Sequence, residues 1–424
     1  MRTLAQTQMT LDPVHFDGIA RLARRIGQDV DDSDHDDFAE RVWADFLDPL
    51  VRDGTTLLEP MAEQCRRTVP IEDVALAADA YGTVHGLDAG SFRPTTFKNG
   101  VTIDLAHAAM SATPSDLELH RGRTVVAAVH TNDATISLDE DWHMGDEGYF
   151  RSRTVRAPTV SRFVEQVVGS LALYLAESEH ALANADVVDE LLVLDGPIYP
   201  KAMLRWPDRD PELGDLLREE DLPRDALRNY LRLVERFVER DVPLVGFVKN
   251  PISKSITRAV RSKGAQAPWL DDAAFFTRIL ERGGTVDGEW VRDEDHLTVT
   301  GWFHSRGGAD RPLSRDGDAL GLDRELPPED YEVTFCAVFD PRDDLLYRIE
   351  APAAVTRDEE RRDRLTRHLL SAVAAGGGPP LAITKADELA RISRDERRSL
   401  YDTFETAFDT ERTSRYDEKR WSTT

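Results

Sequence analysis

Lysine is scarce in this chain: 7 of its 424 residues, against 46 arginines. Cysteine is scarcer. Cys65 and Cys336 are the only two, which excludes a disulfide framework and a cysteine-ligated zinc site. No apolar run approaches the ~20 residues that a membrane helix needs. The first residues, MRTLAQTQMTLDP, lack the apolar stretch of a secretory signal. A soluble cytoplasmic protein with no membrane partner is therefore expected. Walker A, G-x-G-x-x-G, H-E-x-x-H and G-x-S-x-G motifs are all missing, so P-loop nucleotide hydrolysis and serine hydrolysis have no support. There is no internal repeat.

What the chain has in excess is acid. Its 53 basic and 79 acidic residues leave a net charge of −26. With 41% hydrophobic and 31% charged residues the body reads as globular, and the length suggests two or three domains' worth of chain. Few lysines among many carboxylates resemble the proteins of salt-loving microbes. Taken alone, −26 argues against a nucleic-acid partner. In molar salt, where the Debye length is about 3 Å, local pattern outweighs that total.

Residues 1–80 read as a helical extension, opened by Asp12-Pro13, with Phe16, Ile19, Ala20, Leu22 and Ala23 at helical spacing. The acidic run 31–37 reads as a solvated linker, because it lacks the turn glycine of a calcium loop. Three short strands follow, at 83–88, 101–112 and 123–130, as an antiparallel meander, then an acidic loop over 139–148. A helix over 159–176 carries Val160, Phe163, Val164, Val167, Val168 and Leu171 on one face. Strand 191–194, helix 224–239 and strand 242–248 continue as parallel additions to the sheet. A helix at 273–280 and strands near 296–303, 331–338 and 345–350 come next. Two last helices are expected at 356–375 and 384–408, parted by Gly376-Gly377-Gly378-Pro379-Pro380, and a polar tail at 411–424. Three strands, then helix, strand, helix, strand is the order of a ribonuclease-H-like α/β core, here expected over 81–410.

In that order the first strand and the strand after the first helix are neighbours, and each carries an aspartate followed by a small residue: Asp88 and Asp195. Two carboxylates hold a hard divalent cation weakly. A phosphodiesterase site built on two ions about 3.5–4 Å apart needs three or four. Glu165, at the edge of the apolar stripe of helix 159–176, is the candidate third, with Glu177 and Glu179 competing from later in the helix. Asp387, just inside the start of the last helix, is the candidate fourth. Each has an ordinary alternative: Asp-Gly after a strand makes a turn, and Thr384 with Asp387 and Glu388 resembles helix capping.

Gly86-Leu87-Asp88-Ala89-Gly90-Ser91, Arg162-Phe163-Val164-Glu165 and Leu191 to Pro197 resemble the NurA family of DNA-end-processing nucleases. So do Leu244 to Lys249, Tyr347 to Pro352, and the closing Gly-Pro followed by Ala386-Asp387-Glu388-Leu389-Ala390. The set runs in the family's order from about 85 to 395. The resemblance implies a ribonuclease-H-like fold and a Mn²⁺-dependent deoxyribonuclease, with Mg²⁺ as second candidate and two ions. It also implies 5′–3′ exonuclease and single-strand endonuclease activity, a homodimer, and resection of double-strand-break DNA ends with a hexameric HerA-type ATPase. Metal-binding roles carry onto Asp88, Glu165 and Asp195. The family often has a Tyr after the closing glycine and a His in the last helix; here a glycine run replaces the Tyr and Asp387 falls near the His.

From Lys249 to Trp269 no acidic residue occurs, while Lys249, Lys254, Arg258, Arg261 and Lys263 do. Lys254, Arg258 and Arg261 share one helical face and, with Lys249, are candidate DNA-phosphate contacts; a merely solvated face is the alternative. Phe247, Trp269, Phe275 and Phe276 read as core rather than as base-stacking platforms. The rival functions are a catalytically weak DNA-binding or docking subunit of the same resection complex, and an actin-like ATPase. The second is disfavoured because the turn Ser91 to Gly100 holds a single glycine.

Overall fold

The computed structural model describes residues 13–28, 33–77, 79–314 and 320–413. A large mixed sheet organises them, with helices on both faces, and strands Gly283–Val286 and Glu289–Arg292 form a separate hairpin. Its central strands are Val84–Ser91, Leu192–Asp195 and Leu244–Val248. They are mutually parallel, Leu192–Asp195 lying between the other two. On one side Val84–Ser91 pairs antiparallel with Thr102–Thr113, which pairs with Arg123–His130, giving the expected meander. On the other side Leu244–Val248 pairs antiparallel with Leu345–Pro352, and that strand with Val333–Asp340.

The alternation of the central strands explains why both faces are covered. Leu192 and Leu194 enter one core with Val167, Val168, Leu171, Leu175 and Ala176 of helix Val164–Ala183, behind which helix Asp221–Glu239 packs through Leu227, Tyr230 and Val234. Leu191 and Val193 enter the other, with Val245, Phe247 and Ile349 and with Leu365, Leu369 and Val373 of helix Glu359–Gly376. Helices Asp221–Glu239 and Glu359–Gly376 lie close to their expected positions, whereas the helix expected over 159–176 spans 164–183, so that Val160 and Phe163 precede it.

Three expectations are corrected. The first 80 residues are not all helical. After helices Pro13–Gln28 and Ser33–Phe46 come strands Leu50–Arg52, Thr55–Pro60 and Arg66–Pro70. Two of them pair with Phe303–Ser305 and His296–Thr300, so this segment completes the same sheet instead of standing as an extension. The acidic run is not a linker throughout: helix Ser33–Phe46 begins inside it, while residues 31 and 32 lie outside the described residues. The last helix is two, Leu381–Ala390 and Arg394–Phe408. Ser393 Oγ accepts from the Glu396 amide (3.2 Å) and Glu396 Oε2 from the Ser393 amide (2.8 Å), a capping box that starts a new helix. Of the polar tail, residues 414–424 lie outside the described residues.

Candidate metal centre

Register brings the two aspartates together. Leu87 pairs with Leu194 across parallel strands, so Asp88 and Asp195 stand at the same level on strands about 4.8 Å apart. Residues two apart share a face, so Asp88 lies on the face of Gly86 and Gly90. Those glycines are required by what covers them. A Cβ at Gly86 would meet the Ala382 carbonyl oxygen at 2.3 Å, and one at Gly90 the Ala390 carbonyl oxygen at 1.9 Å. Helix 381–390 thus lies directly on the strand, its first turn anchored by Ser111 Oγ donating to Ala382 O (2.5 Å). This close approach delivers Asp387. One carboxylate oxygen each from Asp88, Asp195 and Asp387 lie within 4.8 Å of one another.

The electrostatics are those of carboxylates held together. Burial pushes Asp88 up to about 7, and the neighbouring charges of Asp195 and Asp387 add to the effect. Asp195 is also raised, by burial first, against the pull of Lys249, whose Nζ donates to Asp195 Oδ2 at 2.7 Å. From helix 164–183, Glu177 is pushed up to about 8 by burial and then by the charges of Asp88 and Asp195, while Tyr230 O–H donates to its Oε1 at 2.6 Å. Several oxygen donors that disfavour their own ionisation are a donor set suited to a hard divalent cation.

Glu165 is not in this group. It sits on the first turn of the helix, twelve residues before Glu177, a separation of roughly 18 Å along the axis. Its place at the edge of the apolar stripe gave its azimuth and said nothing of its height over the sheet. Glu179 is turned to Arg153, with which it forms an ion pair. Lys254, Arg258 and Arg261 are exposed on and beside helix Ser255–Ser262, whose Ile256, Ala259 and Val260 are buried. Phe247, Trp269, Phe275 and Phe276 are buried core.

Two supports are not visible in the sequence pattern. Asp272, 4% exposed, accepts from the amides of Ser255 (2.7 Å) and Thr257 (3.0 Å) and from Thr257 Oγ1 (3.0 Å), fixing the start of the basic helix. The second is a buried ion quartet behind the Asp195 loop. Lys201 pairs with Asp310 (2.6 Å) and Glu350, and Arg348 pairs with Asp310 (2.7 Å) and Glu350 (2.7 Å). Burial opposes ionisation of Asp310, but Lys201 and Arg348 outweigh it and hold the carboxyl well below its ordinary range.

A mixed α/β sheet whose central strands and covering helix gather two half-buried aspartates and an exposed one beside a lysine is a class of fold equipped to hold a divalent cation through oxygen ligands. Residues 82–392 match the model of the NurA domain, and the chain belongs to the NurA family. Among solved structures it is similar to the NurA nuclease from Sulfolobus solfataricus, at 13% identity over 94% of this chain and 98% of that one, with a TM-score of 0.46. It is also similar to NurA with manganese, at 10% identity over 79% and 93% of the two chains, with a TM-score of 0.37. A third match is NurA bound to dAMP and manganese, at 11% over 78% and 89%, with a TM-score of 0.39. No curated protein matches the chain.

Proposed function

We propose that this chain is a divalent-metal-dependent deoxyribonuclease in which Asp88, Asp195 and Asp387, with Glu177 beside them, hold the metal. The observation that carries the reading is the convergence of three aspartate oxygens within 4.8 Å, two from neighbouring central strands and one from the helix that lies on them. A bound divalent cation would activate water and offset charge on the reacting phosphate. Lys249, already paired with Asp195, stands where it would meet that phosphate and offset developing charge. Tyr230 orients the Glu177 carboxyl. Manganese as the ion is supported by family membership, since NurA structures hold it; two ions, rather than one, is the reading that four carboxylates favour. Action at DNA ends, the polarity of cleavage, dimerisation and work with a hexameric ATPase are further parts of the proposal, and they rest on family membership alone.

The presence of Asp387 in the cluster favours an enzyme over a docking subunit, because the position that departs from the family pattern still supplies a ligand. The test is degradation of end-labelled linear DNA with Mn²⁺ by wild type and by Asp88→Asn. Loss of cleavage in the variant is expected; undiminished cleavage would contradict the assignment.

A further inference from the structure

We infer that Arg93, Arg391 and Arg394 form a second cationic surface, on the Asp88 and Asp387 side of the cluster, that holds the phosphates of a DNA strand lying across it. The inference rests on the nuclease reading and adds a binding surface to it.

Arg93 has φ 89°, a left-handed conformation that a residue with a side chain rarely adopts. The surroundings enforce it. The Arg93 amide donates to Ser91 Oγ (3.1 Å), and that hydroxyl donates to Asp104 Oδ2 (2.6 Å). Asp104 is 0% exposed, and its other oxygen has no hydrogen-bond partner among the described residues. Phe92 is buried with its ring 4.5 Å from Tyr401, and Pro94 lies over Gly169, where a Cβ would be 2.9 Å from its ring. Buried groups on both sides thus fix the backbone, while the Arg93 side chain itself is exposed.

The position is specific. Arg93 lies five residues beyond Asp88, just past the end of its strand. Arg391 follows Ala390, the residue whose carbonyl rests on Gly90, and comes four residues after Asp387. Arg394 opens the helix that packs on Phe92 through Tyr401 and Phe404. In a chain with 79 carboxylates these three exposed guanidinium groups have no ion-pair or hydrogen-bond partner among the described residues. Arg236, by contrast, holds both Asp186 and Glu239. The stretch 389–398 has four arginines against two acids, and one of those, Glu396, is engaged in the capping box. Sheet order puts Lys249 and the basic helix beyond Asp195, and these arginines beyond Asp88. A strand crossing the cluster would therefore meet cations on both flanks.

The test is fluorescence anisotropy of an end-labelled single-stranded oligonucleotide in EDTA over a series of NaCl concentrations. The proteins are wild type, Arg93→Gly, Arg391→Ala, their double variant, and Arg236→Ala as a distant control. Each ridge variant should weaken binding and lower the slope of log K against log salt by about 0.7 for each phosphate that is no longer neutralised, while the control leaves both unchanged. Arg93→Gly should keep or raise the thermal midpoint, because glycine adopts this conformation without strain, so weaker binding by it cannot be laid to misfolding. Unchanged affinity and slope in the double variant would overturn the proposal, as would an equal loss in the control. Cleavage by wild type with Mn²⁺ is read separately. Its absence would refute the nuclease reading, while the binding series would still decide the ridge.

Discussion

Asp88 and Glu177 are carboxylates with pKa values raised by the fold, and linkage fixes what that does to stability. A carboxyl raised in the folded state favours folding below its ordinary pKa, and the benefit is lost as pH rises through the folded value, about 7 for Asp88 and about 8 for Glu177. In EDTA the thermal midpoint should therefore fall between pH 5 and pH 8. Asp88→Asn should be more stable than wild type at pH 8 and lose that advantage at pH 5; an equal difference at both pH values would refute the linkage. For cleavage, Glu177→Gln should cost more than the roughly 10–100-fold of a change behind the ligands, and Glu165→Gln much less; steady-state rates with Mn²⁺ would show the reverse order if the first-turn glutamate were the ligand. Asp88 and Asp195 were legible in the sequence because each follows an apolar strand segment and is followed by a small residue, and Asp387 because of its place in a closing motif. Glu177 was legible only as a competitor: three acidic residues on one helix look alike until the sheet beneath sets which height meets the aspartates.

At the scale of elements, the site depends on helix 381–390 lying on bare backbone. Gly90→Ala would set a methyl 1.9 Å from the Ala390 carbonyl oxygen. Overpacking of this kind typically costs about 1–3 kcal/mol, and it should also lower cleavage, because the helix that must move carries Asp387. A lower thermal midpoint with full activity would show that Asp387 does not contribute. Behind the Asp195 loop, Glu350→Gln would leave Lys201 and Arg348 short of a counter-charge, and breaking a buried ion pair in this way costs about 3–5 kcal/mol; chemical denaturation would measure it. The core elements were legible because their apolar periodicity is strong, in helix 164–183 above all. The strands at 50–70 were not, because all three are short and two of them pair with residues more than 200 positions later. The break at Ser393 is written as Ser-x-x-Glu, but a longer run of helix-forming residues on either side conceals it.

The whole molecule carries −26, and a uniform reading of that charge would exclude DNA. The structure divides it. Some acid is neutralised internally, as in the Lys201 quartet; some is gathered on and over the central strands, where a cation would offset it; and the flanks of that cluster are basic. What remains is a self-repelling surface, so raising NaCl from 0.1 to 1 M, which shortens the Debye length from about 10 to about 3 Å, should raise the thermal midpoint. The central claim, that the gathered carboxylates hold a catalytic metal, is tested most directly by one comparison: Mn²⁺-dependent degradation of end-labelled linear DNA by wild type and by Asp195→Asn at matched fold stability. Wild type should cleave, EDTA should abolish that cleavage, and the variant should lack it. Equal cleavage by both proteins, or cleavage by wild type that persists in EDTA, would contradict it.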